Sequence, residues 1–267
     1  VRIAVQSVAV CLSPLPGPVH INARFRKPLE PVDGAEPEIP SSLLSQLQDS
    51  LATTAYPSQV IPSESAKTLL RSLCETRRRG IVVCGPAHCG TDAAALRAAV
   101  RRLSVQTGYP IWAESTSGVR FGGGIEVCGG FDAFLRDPQT AKWAPELLIE
   151  LGGPPVSSAY AGLASKQTDC VRVVIAPFGW NDPIGTAQHI CADPVALLQS
   201  VSDVLPPLPI DEAWLRAFSD AEQRTRRAVE DELSDPVLCE GAVSHMLCRT
   251  LPAESVLLVG NSLPVRD

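Results

Sequence analysis

A regular alternation between residues 63 and 205 constrains the fold of this 267-residue chain more than any other feature. Short apolar runs alternate there with stretches of helical periodicity, and the runs are GIVVCG, YPIWAE, ELLIELG, VRVVIAP and QHICA. Strands without polar alternation are buried on both faces, as parallel strands between two layers of helices are. The sequence therefore predicts an α/β fold whose parallel sheet is covered by helices on both faces, flanked by partial α/β domains.

Capping residues mark where the predicted helices begin. Ser63 precedes the helix ESAKTLLRSLCETRR, and Thr91 or Asp92 precedes a helix that runs to about Val105. After the glycine-rich loop FGGG, further helices are predicted at FDAFLRD, SSAYAGLA and DPVALLQSVSDVL. Helices and strands thus follow one another in the order that a parallel sheet requires.

Proline-rich stretches bound this alternation on both sides. Because proline fixes φ and removes an amide donor, residues 30–62 are predicted to be a linker with one helix near SSLLSQLQ. Before the linker, VRIAVQSVAVCL predicts an amphipathic helix and PVHINARF a strand that contains His20. After PPLP at 206–209 come two predicted helices and the strand SVLLV at 255–259. The predicted divisions are 1–29, 30–62, 63–205 and 206–267.

Charge and composition exclude several classes of protein. A net charge of −6 and a pI near 5.3 argue against a nucleic-acid binder, which needs a basic face. The tight basic run, 77–79, lies at a predicted helix end, where cations complement the helix dipole. No apolar stretch is long enough for a membrane span. Since the chain begins on Val1, we expect it to be an internal segment of a larger enzyme.

The nine cysteines include no C-x-x-C pair. Most lie in apolar sequence, as Cys84 does in IVVCG, which predicts buried, reduced thiols in an intracellular protein. Cys84, His88 and Cys89 are close in sequence, but no second ligand pair accompanies them. The sequence therefore does not favour a metal site there.

The turn GPAHCGTD, between a predicted strand and a predicted helix, has two interpretations. Gly85 and Gly90 would allow phosphate to approach the backbone at a helix N-terminus. However, the turn lacks both the G-x-G-x-x-G spacing and the lysine of a P-loop, which favours a purely structural turn. A nucleotide-binding regulatory module remains the alternative from a different functional class.

The final octapeptide GNSLPVRD is the strongest candidate for a binding site. Asn261 and Ser262 follow a predicted strand, and ligands of open α/β sheets gather at strand ends. Arg266 offers a planar fork that matches a carboxylate. The alternative is a loop whose arginine pairs with a neighbouring domain, and Asp267 could itself restrain Arg266.

Three stretches resemble one family in their order and spacing. They are GPVHINARFRKPL at 17–29, DAFLRDP at 132–138 and GNSLPVRD at 260–267. The family is that of the thiamine-diphosphate-dependent 2-succinyl-5-enolpyruvyl-6-hydroxy-3-cyclohexene-1-carboxylate (SEPHCHC) synthases, MenD. The resemblance implies that 1–29 ends a pyrimidine-binding domain, 63–205 is a central domain and 206–267 begins a diphosphate-binding domain. It also implies a homodimer or homotetramer.

The resemblance further implies a chemistry. Thiamine diphosphate, with Mg²⁺ or Mn²⁺, would decarboxylate 2-oxoglutarate, and the succinyl carbanion equivalent would add to isochorismate in menaquinone or phylloquinone biosynthesis. Asn261, Ser262 and Arg266 match the family's substrate-carboxylate site. The compartment would be the cytoplasm of a bacterium or the plastid stroma of a photosynthetic eukaryote.

Two departures from the family pattern qualify this implication. Ser158 stands where many relatives have a lysine, so either another cation, such as Lys166 or Arg120, takes its place or substrate handling differs. The chain also lacks the glutamate that activates the cofactor and the GDG…N segment that binds metal and diphosphate. We therefore expect no catalytic, cofactor-binding or metal-binding residue in this chain, and no activity from it alone. Another thiamine-dependent decarboxylase or carboligase is the second enzyme hypothesis.

Overall fold

The computed structural model describes residues 2–13, 17–24, 41–48, 59–88, 90–122, 124, 126–180, 182–234 and 239–260. The chain divides into two compact units, Val1–Val60 and Ile61–Asp267. The first unit contains helices α1 (Arg2–Leu12) and α2 (Ser41–Gln48). Both helices lie where the sequence predicts them.

The strand predicted at PVHINARF is not formed in the described residues. Residues 17–24 lie outside helices and strands and are exposed, His20 included. A strand needs a neighbour that takes up its backbone hydrogen bonds, and the described part of the chain provides none. The local sequence alone was therefore a misleading signal here.

The second unit is built on a six-stranded sheet. Its strands are β1 (Gly80–Cys84), β2 (Ile111–Ala113), β3 (Val127–Cys128), β4 (Leu147–Leu151), β5 (Val171–Ala176) and β6 (Gln188–Cys191). All neighbouring pairs are parallel, and the order is β3-β2-β1-β4-β5-β6. The parallel α/β fold is therefore confirmed. The two-residue strand β3 was not predicted, because its sequence is too short to show a pattern.

The helices of this unit begin at capping side chains. They are α3 (Glu64–Thr76), α4 (Ala93–Thr107), α5 (Phe131–Phe134), α6 (Ser158–Lys166), α7 (Pro194–Val204), α8 (Glu212–Leu233) and α9 (Glu240–Thr250). Ser63 caps α3, and Asp92, rather than Thr91, caps α4 by accepting hydrogen bonds from two amides. Helix α5 is shorter than predicted, since Asp137 begins a separate 3-10 helix, Pro138–Lys142.

The two faces of the sheet are covered differently. One face, here called the aliphatic face, packs residues such as Val82, Ile149 and Val173 against α3, α4 and α7. The other, here called the aromatic face, centres on Trp112, whose ring stacks on Phe131 at 5.7 Å between centroids. Helices α5, α6 and α8 cover the aromatic face. The predicted burial of the sheet on both faces is thus observed.

Helix α8 belongs to this covering layer, although it follows the PPLP segment. Trp214 and Phe218 are buried in the aromatic face. The Trp214 indole Nε1 also donates a hydrogen bond of 3.0 Å to the Gly80 carbonyl. The division predicted between residues 205 and 206 remains a prediction about domains, whereas the packing of α8 on the sheet is observed.

The strand predicted at SVLLV is also absent from the described residues. Residues 251–260 lie outside helices and strands, and Val256 and Leu258 are each 94 % exposed. The reason is the same as for residues 17–24, because no described strand lies beside this segment. Helix α9 precedes it and has no buried residue.

The prediction of buried cysteines holds for only part of the set. Cys74, Cys84 and Cys128 are buried, and burial raises the pKa of the Cys84 thiol to about 12. Three others are exposed, namely Cys191, Cys239 and Cys248. Cys191 lies on the edge strand β6, Cys239 caps the sparsely packed helix α9 and Cys248 lies on that helix, and apolar sequence does not lead to burial at these places.

Candidate functional site

The carboxyl ends of the parallel strands meet at one edge of the sheet, where ligands bind in open α/β folds. The strand order reverses direction between β1 and β4, so the loops after these two strands flank the expected crevice. These loops are Gly85–Gly90 and Gly152–Ser157 in sequence. A nucleotide could bind in this crevice only if the two loops leave space between them.

Backbone atoms fill the crevice between these loops. A Cβ atom at Gly85 would lie 1.9 Å from the Gly153 carbonyl oxygen, and the Gly153 amide donates to the Pro86 carbonyl at 2.8 Å. Gly152 has φ +82°, and a Cβ there would lie 2.5 Å from the Pro86 oxygen. These glycines are needed because the two loops touch each other, rather than because a ligand approaches them.

The N-terminus of α4 is also occupied, in this case by a side chain. The Asp92 carboxylate accepts hydrogen bonds from the Ala94 and Ala95 amides at 2.9 and 3.1 Å. A phosphate at this helix end would meet that negative charge instead of free N–H groups. The geometry therefore favours the structural interpretation of the GPAHCGTD turn over the nucleotide-binding one.

Cys84 and His88, which were considered for a metal site, lie in different environments. Cys84 is buried within β1, while the His88 ring packs against Phe178 with 4.7 Å between centroids. Burial lowers the pKa of His88 and favours its neutral form. Cys89 lies outside the described residues. Within the described ranges, no group of three or more His, Cys, Asp or Glu side chains could hold a metal ion.

A polar cluster connects the loops that follow β2, β3 and β4. Glu114, which comes after β2, accepts hydrogen bonds from the Val156 and Ser157 amides at 2.7 and 3.3 Å. Because β1 lies between β2 and β4, this carboxylate bridges the carboxyl end of β1. Burial raises the pKa of Glu114, and the two amide hydrogen bonds oppose that rise.

Asp132, which comes after β3, is the second carboxylate of the cluster. It accepts hydrogen bonds from the Ser157 hydroxyl and from Arg136 Nε and Nη2, the latter two at 3.0 and 2.9 Å. Burial alone would raise the pKa of Asp132, but the hydrogen bonds from Ser157 and Arg136 outweigh burial and lower the pKa. Asp132 therefore stays ionised and holds both partners in place.

Arg136 is the cation that lies beside Ser158. Its Nη2 atom is 3.1 Å from the Ser158 hydroxyl oxygen, at the first residue of α6. Sequence analysis missed Arg136, although its spacing of four residues from Asp132 in DAFLRDP was a usable signal for an ion pair on one helical turn. The approach of Ser158, which is distant in sequence, carried no such signal.

Neither cation considered from the sequence has a hydrogen bond to Ser158 among the described residues, although the charge of Arg120 opposes the burial that raises the pKa of Glu114 in the same cluster. Lys166 is the exposed last residue of α6, eight residues beyond Ser158 and therefore about 12 Å further along the helix. The Arg120 guanidinium carbon lies 5.9 Å from the centre of the Phe121 ring. Arg136 is thus the arginine that the described structure brings to Ser158.

A buried charge network lies between β4 and β5 on the aromatic face. Arg172 forms ion pairs with Glu150 at 2.7 Å and with Asp182 at 3.0 Å, and it donates to the Thr186 hydroxyl at 2.8 Å. Asp182 also accepts a hydrogen bond of 2.7 Å from the Ala187 amide. This network fixes the loop that connects β5 to β6.

The predicted carboxylate site lies outside the described residues. Asn261, Ser262 and Arg266 all belong to the segment 261–267, which the structure does not describe. The strand that was to deliver them is not formed in residues 255–259. Their role therefore remains a prediction.

No protein-family profile matches the chain. Individual curated proteins do, and several of them are named 2-succinyl-5-enolpyruvyl-6-hydroxy-3-cyclohexene-1-carboxylate synthase. The protein from Sorangium cellulosum is 38 % identical over 276 residues, which cover 100 % of this chain and 45 % of that protein. Those from Myxococcus xanthus and Chloroflexus aurantiacus are 35 % and 32 % identical, with 94 % and 98 % of this chain covered.

The chain spans less than half the length of these relatives, since the matches cover 43 % and 44 % of the latter two proteins. One solved structure, of a thiamin diphosphate-dependent enzyme from Mycobacterium smegmatis, has a TM-score of 0.43 and 14 % identity. The match covers 59 % of this chain and 30 % of that one. An overlap of this extent does not define the architecture, which rests on the strand order described above.

The strand order and the helices on both faces define a doubly wound, all-parallel α/β protein. Sequence similarity narrows this description further. Over 94 to 100 % of its length the chain is similar to SEPHCHC synthases, of which it spans 43 to 45 %. Among the described helices, none has the length and apolar character that a membrane crossing requires.

Proposed function

We propose that the intact polypeptide containing this chain is a SEPHCHC synthase, a transferase that decarboxylates 2-oxoglutarate and adds the succinyl unit to isochorismate in menaquinone or phylloquinone biosynthesis. The observation that supports this proposal is the similarity to several SEPHCHC synthases over 94 to 100 % of the chain. The closed crevice between β1 and β4 argues against the alternative of a nucleotide-binding module.

The proposed cofactors are thiamine diphosphate and Mg²⁺ or Mn²⁺. Their support is the family resemblance, because the described residues offer neither a group of acidic metal ligands nor an open helix N-terminus at the switch point. When bound, thiamine diphosphate supplies the carbanion chemistry. In this proposal the chain contributes substrate-binding residues, and the oligomer is a homodimer or homotetramer.

The proposed contact with substrate carboxylate is made by Ser262 and Arg266, with Asn261 beside them. A guanidinium donates two parallel hydrogen bonds to a carboxylate, and a hydroxyl adds a third donor. A charge-assisted hydrogen bond of this kind contributes about 1.5–3 kcal/mol to binding in a desolvated site. The two substrates named above are carboxylates, so this chemistry suits either.

A second cationic contact is proposed at Arg136. Family members with a lysine at the Ser158 position would place a positive charge at the start of α6, and here Arg136 lies 3.1 Å from that serine hydroxyl. Asp132 neutralises part of the charge of Arg136 and fixes its orientation. Arg136 is therefore proposed to take over the positive charge, in preference to Lys166 and Arg120.

The activity proposal is tested with the purified intact polypeptide, thiamine diphosphate, Mg²⁺, 2-oxoglutarate and isochorismate. Formation of SEPHCHC, measured by mass spectrometry together with release of carbon dioxide, is the expected result. Turnover of pyruvate in preference to 2-oxoglutarate would instead support another thiamine-dependent carboligase. No turnover where an established synthase is active would refute the proposal.

The carboxylate site is tested by Arg266→Ala in the same protein. The expected result is a rise of about 10- to 100-fold in the substrate KM, which corresponds to the loss of one charge-assisted contact. The dissociation constant of thiamine diphosphate should stay within about twofold of the unsubstituted value. Equal losses in substrate and cofactor binding would mean that Arg266 is structural.

The role of Arg136 is tested by Arg136→Ala, with Lys166→Ala as the matched control. Only the first change removes a cation from Ser158, so only the first should raise the KM for isochorismate, by about tenfold. Arg136→Lys should restore part of the affinity. Equal KM values for Arg136→Ala and Lys166→Ala, with both proteins folded, would contradict the proposal.

A further inference from the structure

Ser157 is the residue at which the loops after β2, β3 and β4 meet. It directly precedes α6 and is only 8 % exposed. Its amide donates to the Glu114 carboxylate at 3.3 Å, and its hydroxyl donates to the Asp132 carboxylate. The same hydroxyl accepts a hydrogen bond of 3.0 Å from the Tyr160 amide and so caps α6. Ser157 is therefore held by groups from three segments of the chain.

The Ser157 hydroxyl makes two contacts of different kinds. A serine hydroxyl has one donor proton and two acceptor lone pairs, so it can donate to Asp132 while it accepts from Tyr160. Alanine at this position would lose both contacts, whereas threonine would keep both. Aspartate would keep only the cap, because a carboxylate accepts from an amide but has no proton to donate to Asp132. Substitution can therefore separate the donation to Asp132 from the capping of α6.

Asp132 divides its two carboxylate oxygens between α6 and Arg136. Oδ1 accepts from the Ser157 hydroxyl and lies 3.5 Å from the Ala159 amide nitrogen, at the start of α6. Oδ2 accepts from Arg136 Nε and Nη2 at 3.0 and 2.9 Å. Loss of the Ser157 hydroxyl would leave Oδ1 only its long contact with Ala159. The carboxylate, and Arg136 with it, could then turn away from α6.

This arrangement places Arg136 and Ser158 together as a donor pair. Arg136 Nη2 donates to the Ser158 hydroxyl oxygen at 3.1 Å, so the hydroxyl keeps its own proton for another acceptor. The hydrogen bonds that Arg136 makes to described residues use Nε and Nη2, which leaves the two N–H groups of Nη1 for a ligand. The donor pair can therefore serve both oxygens of a carboxylate.

We infer that Ser157 is a positioning residue for this donor pair: through Asp132, its hydroxyl holds Arg136 beside Ser158 and thereby sets the affinity for a substrate carboxylate. A cap alone requires only an acceptor, so capping of α6 does not account for the donation to Asp132. The inference rests on the proposed function, because the carboxylate in question is that of isochorismate.

The inference is tested in the intact polypeptide by the KM and kcat for isochorismate. Ser157→Ala should raise the KM by about three- to tenfold and leave kcat within about twofold, since the residue acts on binding. Ser157→Thr keeps the hydroxyl and should leave the KM within about twofold of the unsubstituted value. Ser157→Asp keeps the cap but places a second negative charge beside Asp132, and should raise the KM at least as far as Ser157→Ala does.

A double-variant cycle with Arg136→Ala separates positioning from a general loss of stability. Without the arginine, Ser157 has no cation to position, so the addition of Ser157→Ala to Arg136→Ala should change the KM by less than about twofold. Ser165→Ala is the matched control, because it removes an exposed hydroxyl from the same helix, and it should leave the KM unchanged. Circular dichroism verifies that each variant is folded.

Three results would overturn the inference and leave the proposed function standing. They are a normal KM for Ser157→Ala beside a raised KM for Arg136→Ala, a normal KM for Ser157→Asp, and fully additive effects in the double variant. A normal KM for Ser157→Asp would mean that Ser157 only caps α6. Absence of turnover by the unsubstituted protein would overturn the proposed function and this inference together.

Discussion

The two faces of the sheet differ in chemistry as well as in the helices that cover them. The aliphatic face is built from side chains such as Leu103 and Leu197, and its buried polar groups are hydroxyls. The aromatic face carries the buried charges Glu150, Arg172 and Glu222 together with the ring cluster around Trp112. Side chains alternate between the two faces along a strand, so Glu150 lies on the same face as Leu148, two residues before it on β4. Arg172 is the register partner of Leu148 on β5 and also lies on the aromatic face.

The difference shows how one sheet can hold both a stable core and a specific loop arrangement. Aliphatic packing is non-directional, so the aliphatic face contributes stability without fixing particular loops. Buried charges require partners at defined positions, and on the aromatic face those partners lie on a neighbouring strand, in loops and on α8. The Arg172 network fixes the β5–β6 loop, and Glu222 fixes the loop after β3 by accepting from the Gly130 amide at 2.8 Å.

The largest expected effect comes from breaking the charge network. Arg172→Met leaves the buried Glu150 and the partly buried Asp182 without their cation, and should lower the free energy of unfolding by about 3–5 kcal/mol. Urea denaturation measures the loss. Adding Glu150→Leu removes one of the unpaired charges and should recover a large part of it. If the double variant were as unstable as the single one, the network would not be the cause.

A core truncation on the aliphatic face should cost about 3 kcal/mol. Leu197, on α7, is fully buried there, and Leu197→Ala would leave a cavity among aliphatic neighbours. Because no buried charge is involved, the loss should be the same at pH 5 and pH 8, as measured by urea denaturation at both values. A strong dependence on pH would show that the two faces are energetically coupled.

A smaller effect is expected where α8 meets the loop after β3. Glu222→Gln weakens the charge-assisted hydrogen bonds to the Gly130 amide and Arg226, and should lower the free energy of unfolding by about 1–2 kcal/mol. Hydrogen exchange at Gly130 should become faster. Glu230→Gln, an exposed change on the same helix, is the control and should alter neither quantity.

The smallest effect concerns the polar cluster at the carboxyl edge. The pKa of Asp132 is lowered in the folded protein, so its contribution is present above the pKa of an unfolded aspartate and is lost as pH falls through the lower, folded value. Asp132→Asn should cost less than about 1 kcal/mol at pH 7, since the pair with Arg136 is partly exposed. Denaturation from pH 7 to pH 3 should show a shallower acid-induced loss in the variant, whereas an unchanged slope would contradict this assignment.

Helix caps and apolar runs were predictable because they depend on neighbours in the sequence. Ser63, Asp92 and the run GIVVC behave as local physics requires, and the sheet follows from such runs. The predictions of strands at PVHINARF and SVLLV were wrong because strand formation does not depend on local sequence alone. A strand is stabilised by a neighbour that local sequence does not specify, and the described residues provide none at either place.

The candidate site also has some features that were visible in the sequence and others that were not. The resemblance of GNSLPVRD to the family motif was visible in the sequence, and the roles of Asn261, Ser262 and Arg266 remain predictions. The contact between Arg136 and Ser158 was not visible, because it joins the loop after β3 to the start of α6. The closure of the β1–β4 crevice was equally hidden, since it depends on how close two glycine loops approach.

The sequence by itself predicted the helices, five of the six strands of the sheet, the parallel α/β class and the resemblance to the SEPHCHC synthases. These depend on residue periodicity, on caps and on motifs, all of which are local properties. Only the tertiary structure decided which cation lies beside Ser158, which charges are buried together, and that α8 covers the sheet. Those outcomes depend on distances between residues far apart in the chain, and such distances exist only after the strands have taken their order in the sheet.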